Sequence, residues 1–137
     1  MKQLYMLDTD TSIYTIKNRP ISVRKQFVKL EMDQICISVV TYAELIFGTE
    51  NSSDPKRNRA VLDHFARHLT VHDWDTTAAE HYGSVRHKLE REGTPIGSMD
   101  MMIAAHALSI GAVLVTNNEK HFRRVGGLKL TNWVKTP

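Results

Sequence analysis

Short apolar runs alternate along this chain with stretches in which apolar positions recur at three- and four-residue spacing. The first pattern marks buried strands and the second marks helices with one inward face. Residues 3–7 read as a short buried strand, and residues 11–17 as a short helix stopped before Asn18-Arg19-Pro20. In residues 21–30, Val23, Phe27 and Leu30 share one face, so this segment is helical. Residues 34–39 (QICISV) form a second strand, and residues 41–49 a helix with Leu45 and Ile46 inward. Ser52-Ser53-Asp54-Pro55 starts another helix, a capping residue followed by proline at the first helical position. That helix runs to about residue 68. A brief strand at 69–71 and a long helix at 76–92 follow, and Gly93 to Ser98 is a loop. Residues 100–110 form a helix closed by Gly111, a residue suited to the left-handed cap. Residues 112–116 (AVLVT) are the clearest strand of the chain. A turn of helix around His121 and Phe122 and an edge strand at 128–130 complete the pattern.

Strands alternating with helices imply an α/β fold. The expected architecture is a single domain over residues 1–137, with a central, mainly parallel sheet of four to five strands flanked by helices. A chain of 137 residues buries roughly two-thirds of its unfolded surface, so it needs no disulfide or metal to fold. Its apolar runs are too short to span a bilayer. The N-terminal MKQLYMLD lacks the apolar core and cleavage site of a signal peptide. The sole cysteine, Cys36, sits between two isoleucines and reads as a buried small hydrophobe. These features imply no membrane association and a reducing, cytoplasmic setting. The net charge of +3 permits nucleic-acid binding without demanding it. Basic clusters such as Arg86, Lys88 and Arg91, or Lys120, Arg123 and Arg124, are solvated faces when taken alone.

The stretch Tyr5 to Ile13, YMLDTDTSI, ends an apolar run in two acids. In parallel α/β sheets, ligands bind beyond the carboxyl ends of the strands. Asp8 and Asp10 follow the first strand, and Asn117 and Asn118 follow AVLVT. Glu44 and Asp100 are placed in the first turns of their helices. Each has a local explanation. Asp8 or Asp10 caps the following helix. Thr41-x-x-Glu44 fits a capping box. Ser98 caps the next helix, where Asp100 suits the helix dipole. Their conjunction implies more. Two unit charges about 4 Å apart repel by roughly 1 to 4 kcal/mol in a partly solvated pocket, and each raises the other's pKa. A divalent cation removes that penalty. Hard Mg²⁺, with Mn²⁺ as a substitute, prefers carboxylate oxygen and water. The chemistry such a site favours is phosphodiester hydrolysis.

YMLDT, ISVVTYAELIFG, GTPIGSMDMMIAAHAL and VLVTNNEKHFRRVGGLKLTNW stand in this order along nearly the whole chain. The set closely resembles the VapC toxins, ribonucleases of the PIN-domain superfamily. The resemblance implies the toxin of a type II toxin–antitoxin pair. It implies a Mg²⁺-dependent endoribonuclease neutralised by a VapB-like antitoxin, with operator DNA bound only through that antitoxin. It also implies a homodimer that assembles further with the antitoxin. By motif, Asp8 (MLDT), Glu44 (YAEL) and Asp100 (GSMD) match the family's acidic triad. Asp8 and Asp100 are then metal ligands. Glu44 either ligates the metal, directly or through water, or positions the attacking water. Many relatives carry an aspartate after TN, where this chain has Asn118. The fourth site residue is therefore Asn118, or Glu119 one position on, or the site works with three acids. Asp10 stands where many relatives have asparagine, and is expected to orient its neighbours or cap the helix. The NRP, GTPIG and TNN segments are most similar to members that cut initiator tRNA in its anticodon stem-loop.

Two other readings compete. Asp8-x-Asp10-x-Thr also fits the start of a haloacid-dehalogenase-like phosphatase, with Asp8 as nucleophile and Asp10 as acid/base. That family needs a later lysine and a paired acidic motif after another strand, but no acidic pair lies near Asp100 and TNN follows the clearest strand. Alternatively, the chain is a non-catalytic nucleic-acid-binding module whose acids are structural. His64, His68 and His72 are spaced by four, but no zinc-binding pattern accompanies them. Apolar residues of the first helices (Ile13, Ile16, Val23, Phe27) and of the helix at 41–49 (Leu45, Ile46, Phe47) offer either an antitoxin groove or simply core.

Overall fold

A computed structural model describes residues 2–135. β1 (Tyr5–Leu7) lies at the centre of one five-stranded sheet of order β3-β2-β1-β4-β5. The remaining strands are β2 (Ile35–Ser38), β3 (Thr70–His72), β4 (Val113–Val115) and β5 (Leu130–Thr131). Every pairing is parallel, with Tyr5 opposite both Ile35 and Val113. Both faces of the sheet are covered, and side chains alternate between them. Met6, Cys36 and Leu114 enter one core with Leu89, Ile103 and Phe122. Leu7, Ile35, Ile37 and Val115 enter the other with Val23, Leu62, Phe65 and Trp133. The expected α/β architecture is therefore observed, with all five strands parallel.

Among the described residues, seven helices surround the sheet. They are α1 (Thr9–Lys17), α2 (Ile21–Phe27), α3 (Val39–Glu50), α4 (Pro55–Ala66), α5 (Thr76–Arg91), α6 (Ser98–Ile110) and α7 (Glu119–Phe122). A single 3₁₀ turn at Met32–Gln34 precedes β2. The chain lays down β1, β2 and β3 outward in one direction, then returns across the sheet to β4 and β5. Between β1 and β4 the strand order reverses, which opens a crevice beyond their carboxyl ends. Asp8 sits there, its amide bonded to the Val115 carbonyl at 3.1 Å.

Several boundaries differ from the sequence expectations, each for a local reason. The apolar pair Val39-Val40 looks like a continuation of β2, but it opens α3. Ser38 ends the strand and caps the helix at once, its Oγ accepting the Val40 amide at 3.1 Å. The Thr41 capping box is therefore not formed. Thr41 is fully buried, its Oγ1 lacks a hydrogen-bond partner among the described residues, and Glu44 falls in the second turn. Gly97, not Ser98, holds the cap position of α6. Asp54 does cap α4 through the Arg57 amide, and Gly111 (φ 66°) closes α6 in the left-handed region. Cys36 is buried, and that burial pushes its thiol pKa up to about 12.

Leu114 is fully buried between β1 and β5. Truncation there removes contacts on a site that the rigid sheet cannot close around. Leu114→Ala is expected to lower unfolding stability by about 3 kcal/mol, read from urea melts with unchanged slope.

Candidate active site

Asp8 is the residue around which the crevice is built. It follows β1 directly and caps α1, its Oδ1 accepting the Thr11 amide at 2.8 Å. Its carbonyl receives the Ser12 amide and the Ser12 hydroxyl. The Thr116 hydroxyl donates to its carboxylate and also accepts the Asn118 amide at 2.9 Å. Asp8 is only 5% exposed. Burial pushes its pKa up, the Thr116 and Thr11 hydrogen bonds pull it back, and the charge of Asp10 raises it further. The outcome is a pKa above the ordinary carboxylate value.

Asp100 stands in the first turn of α6, half-buried. Its pKa is also raised, first by desolvation, then by the charges of Glu44 and Asp10, against a lowering by His121. The charges of Glu44 and Asp10 thus act on Asp100, and that of Asp10 acts on Asp8. Glu44 comes from α3, and its Oε1 accepts the Thr9 hydroxyl at 2.6 Å. The four acids named from the sequence thus face one edge of the sheet. Asp10 does not cap α1, because Asp8 holds that position; it is an exposed first-turn acid that adds negative charge.

The two candidates for a fourth position separate. Asn118 is bonded through its side-chain amide to His121 Nδ1 at 2.8 Å, and the charge of His121 in turn acts on Asp100. Glu119 turns toward the last strand, where Asn132 donates to it at 2.9 Å and Arg123 and Lys135 approach within 3.7 and 3.8 Å. Thr9, Thr116 and His121 belong to the site but were not singled out by the sequence. The hydroxyls read only as turn and strand-end residues. For Thr9, the adjoining Asp8 was the available signal.

The donor chemistry suits a small hard cation. Among the described residues no three Asp, Glu, His or Cys side chains are gathered into a ready-made cage. Mg²⁺ does not require one, since it keeps several waters and binds through one or two carboxylates together with substrate phosphate. Desolvated, mutually repelling oxygens with no adjoining ammonium or guanidinium among the charges acting on Asp100 are what such an ion neutralises.

Beside the acids, a groove of about 310 Å³ runs between α1, α3 and α4, with Glu44 on its wall and Ile13, Ile16 and Val61 along it. A neighbouring one of about 350 Å³ takes in Phe27 and Val28. Of the apolar residues proposed for a partner surface, Val23 and Leu45 are core, whereas Phe47 is 69% exposed.

The PIN-domain pattern matches residues 5–128. Over 129 residues the chain is 50% identical to the tRNA(fMet)-specific endonuclease VapC of Shigella flexneri, covering 94% of this chain and 97% of that protein. The chain belongs to the VapC family of PIN-domain ribonucleases. Ribonuclease VapC2 of Haemophilus influenzae is 43% identical over 130 residues, 95% of this chain and 98% of the relative. The VapC fold recurs in the crystal structure of DNA-bound VapBC from Salmonella typhimurium. That chain superposes with a TM-score of 0.90 at 48% identity, over 96% of this chain and 99% of the other. VapBC2 from Rickettsia felis, bound to a promoter DNA fragment, gives 0.90 at 37% identity, over 96% and 99%. PIN-domain nucleases use divalent metal ions, and the VapC assignment replaces the phosphatase reading of Asp8 and Asp10.

The raised pKa of Asp100 has a thermodynamic consequence. A carboxyl with a raised folded-state pKa contributes its full stability at acid pH and loses it as pH rises through that pKa. Metal-free Asp100→Asn is therefore expected to melt roughly 2 to 4 °C above wild type at pH 7. The gap should close near pH 3, where both states of Asp100 are protonated. Calorimetry in EDTA checks this, and an equal or lower melting point at pH 7 contradicts it.

Proposed function

We propose that this chain is the toxin of a type II toxin–antitoxin pair, an endoribonuclease that uses Mg²⁺, or Mn²⁺ in its place, to hydrolyse tRNA. The whole of residues 1–137 acts as one PIN-type nuclease domain. Its substrate is initiator tRNA, cut in the anticodon stem-loop. This reading is supported by 50% identity over 94% of the chain to a tRNA(fMet)-specific VapC. The observations that support the chemistry are the Thr9–Glu44 hydrogen bond next to the buried Asp8 and the charges of Glu44 and Asp10 acting on Asp100.

Asp8 and Asp100 would hold the cation, and Glu44 would hold it through water or orient the attacking water. The bound cation supplies a water of lowered pKa and a Lewis acid for the charge that develops on phosphate oxygen. The chain's own part is preorganisation. The Thr11 amide and Thr116 hydroxyl fix Asp8, and Thr9 fixes Glu44, before substrate arrives. Asn118 takes the fourth position as a neutral polar group oriented by His121, while Glu119 is engaged by Asn132 and its basic neighbours. Three acids then suffice. Loop RNA suits the site because unpaired nucleotides present an accessible backbone and splayed bases.

The partner is a VapB-like antitoxin, consistent with the VapBC complexes to which the chain is similar. Its peptide would lie in the groove walled by Glu44, where a basic side chain meets the anionic centre. Operator DNA is reached only through that antitoxin. The toxin works as a homodimer that assembles further with antitoxin, in the cytoplasm; no helix of the described residues is long and apolar enough to cross a membrane.

The test uses purified protein and total tRNA. Cleavage is expected with Mg²⁺, to vanish in EDTA, and to fall on the order of 100-fold or more in Asp8→Asn and Asp100→Asn. Glu44→Gln should fall less. Metal binding needs both carboxylates ionised, so activity should also decline as pH drops toward their raised pKa values. Cleavage that persists in EDTA and in Asp8→Asn overturns the mechanism.

A further inference from the structure

His106 is buried to 1% exposure in the middle of α6, far from solvent and unused by the chemistry above. Its Nδ1 lies 2.7 Å from Ser38 Oγ, which is itself fully buried. Ser38 Oγ already accepts the Val40 amide, so its one proton is free to donate to the ring. The backbone of Asp73 also acts on the ring and raises its pKa. His72, opposite Ser38 in the β2–β3 register, stands edge-on at 6.3 Å. The Trp74 indole adds a second tie to α6, donating to the Met102 carbonyl at 3.0 Å. Ser38 therefore does three things at once: it ends β2, caps α3, and holds α6.

Those two helices carry two of the acids. Glu44 is six positions beyond Ser38 in α3, and Asp100 is six positions before His106 in α6. A helix advances about 9 Å over that interval, so a small tilt at the Ser38–His106 contact moves both carboxyls relative to one another. We propose that the Ser38–His106 pair is a positioning latch that sets the spacing of Glu44 and Asp100, and thereby the cation affinity and turnover of the site. The inference rests on the metal-site reading of the acids given above. The charged and titratable groups around the ring are His72, Asp73 and Asp75. Burial and His72 together hold His106 below its ordinary pKa, which keeps the ring neutral and able to accept from Ser38.

The test compares Ser38→Ala, His106→Phe and the double variant with wild type. Mn²⁺ binding is read without RNA from the free-ion paramagnetic resonance signal, and kcat and KM are read on tRNA. Loss of an outer support of this kind is expected to weaken Mn²⁺ binding about 10-fold and to lower kcat about 10- to 100-fold. KM should stay within about twofold of wild type, because RNA contacts elsewhere are untouched. The double variant should be no worse than the poorer single one, since the pair acts as a unit. Wild-type Mn²⁺ affinity and kcat in either cooperatively melting single variant overturn the latch. Should both variants lose their cooperative melt, nitrogen-15 spectra of the wild-type histidines decide. A neutral ring protonated on Nε2 at pH 7 is expected, and one protonated on Nδ1 overturns the proposal. Failure of the underlying reading looks different: Asp8→Asn would then bind Mn²⁺ as tightly as wild type.

Discussion

A carboxylate almost cut off from water, at the point where the sheet reverses its strand order, governs how everything near it is arranged. Burying Asp8 favours its neutral form, yet cation chemistry needs the anion. Two groups offset part of that penalty, the Thr11 amide and the Thr116 hydroxyl. Both are delivered by elements that the position of Asp8 itself defines. The amide belongs to the helix that Asp8 caps, and the hydroxyl follows the strand that pairs with β1. Strand, cap and acid are therefore one construction. Asp100 and Glu44 come from α6 and α3, and the charge of Glu44 raises the pKa of Asp100. Excess negative charge of this kind is what a cation or a basic partner neutralises.

Much of this was legible in the amino-acid order. The alternation of short apolar runs with amphipathic stretches specifies a parallel sheet, and in such a sheet acids after the first strand fall at the ligand edge. The position of Asp8 was readable for that reason, and that of Asp100 from the helix that precedes AVLVT. Boundaries were less so where one residue serves two elements. The Ser38-Val39-Val40 junction hides a strand end, a cap and a helix start in three residues, and β-branched valines favour the strand reading. Tertiary burial overrode that preference, which also misplaced Glu44 by most of a turn. The supporting hydroxyls were harder still. Thr9 and Thr116 act through contacts between segments distant in sequence, and no local spacing encodes a bond from residue 9 to residue 44.

Asn118 and Glu119 show how neighbours in sequence part company in space. The α7 turn points Asn118 at His121, while Glu119 closes against Asn132 next to β5. An acid displaced by one residue is thus not an equivalent acid. The ion pairs of Glu119 with Arg123 and Lys135 are those of a group that anchors the C-terminal segment.

Glu44 belongs to two surfaces at once: it is coupled to Asp100 in the acidic crevice, and it forms part of the wall of the groove between α1, α3 and α4. Free-energy linkage makes such sharing reciprocal. A cation bound beside Glu44 in the crevice would lessen the grip of the groove on a basic group there, and the reverse by the same factor. One carboxyl group thereby turns two separate cavities into a single thermodynamic unit, with no movement of the backbone required.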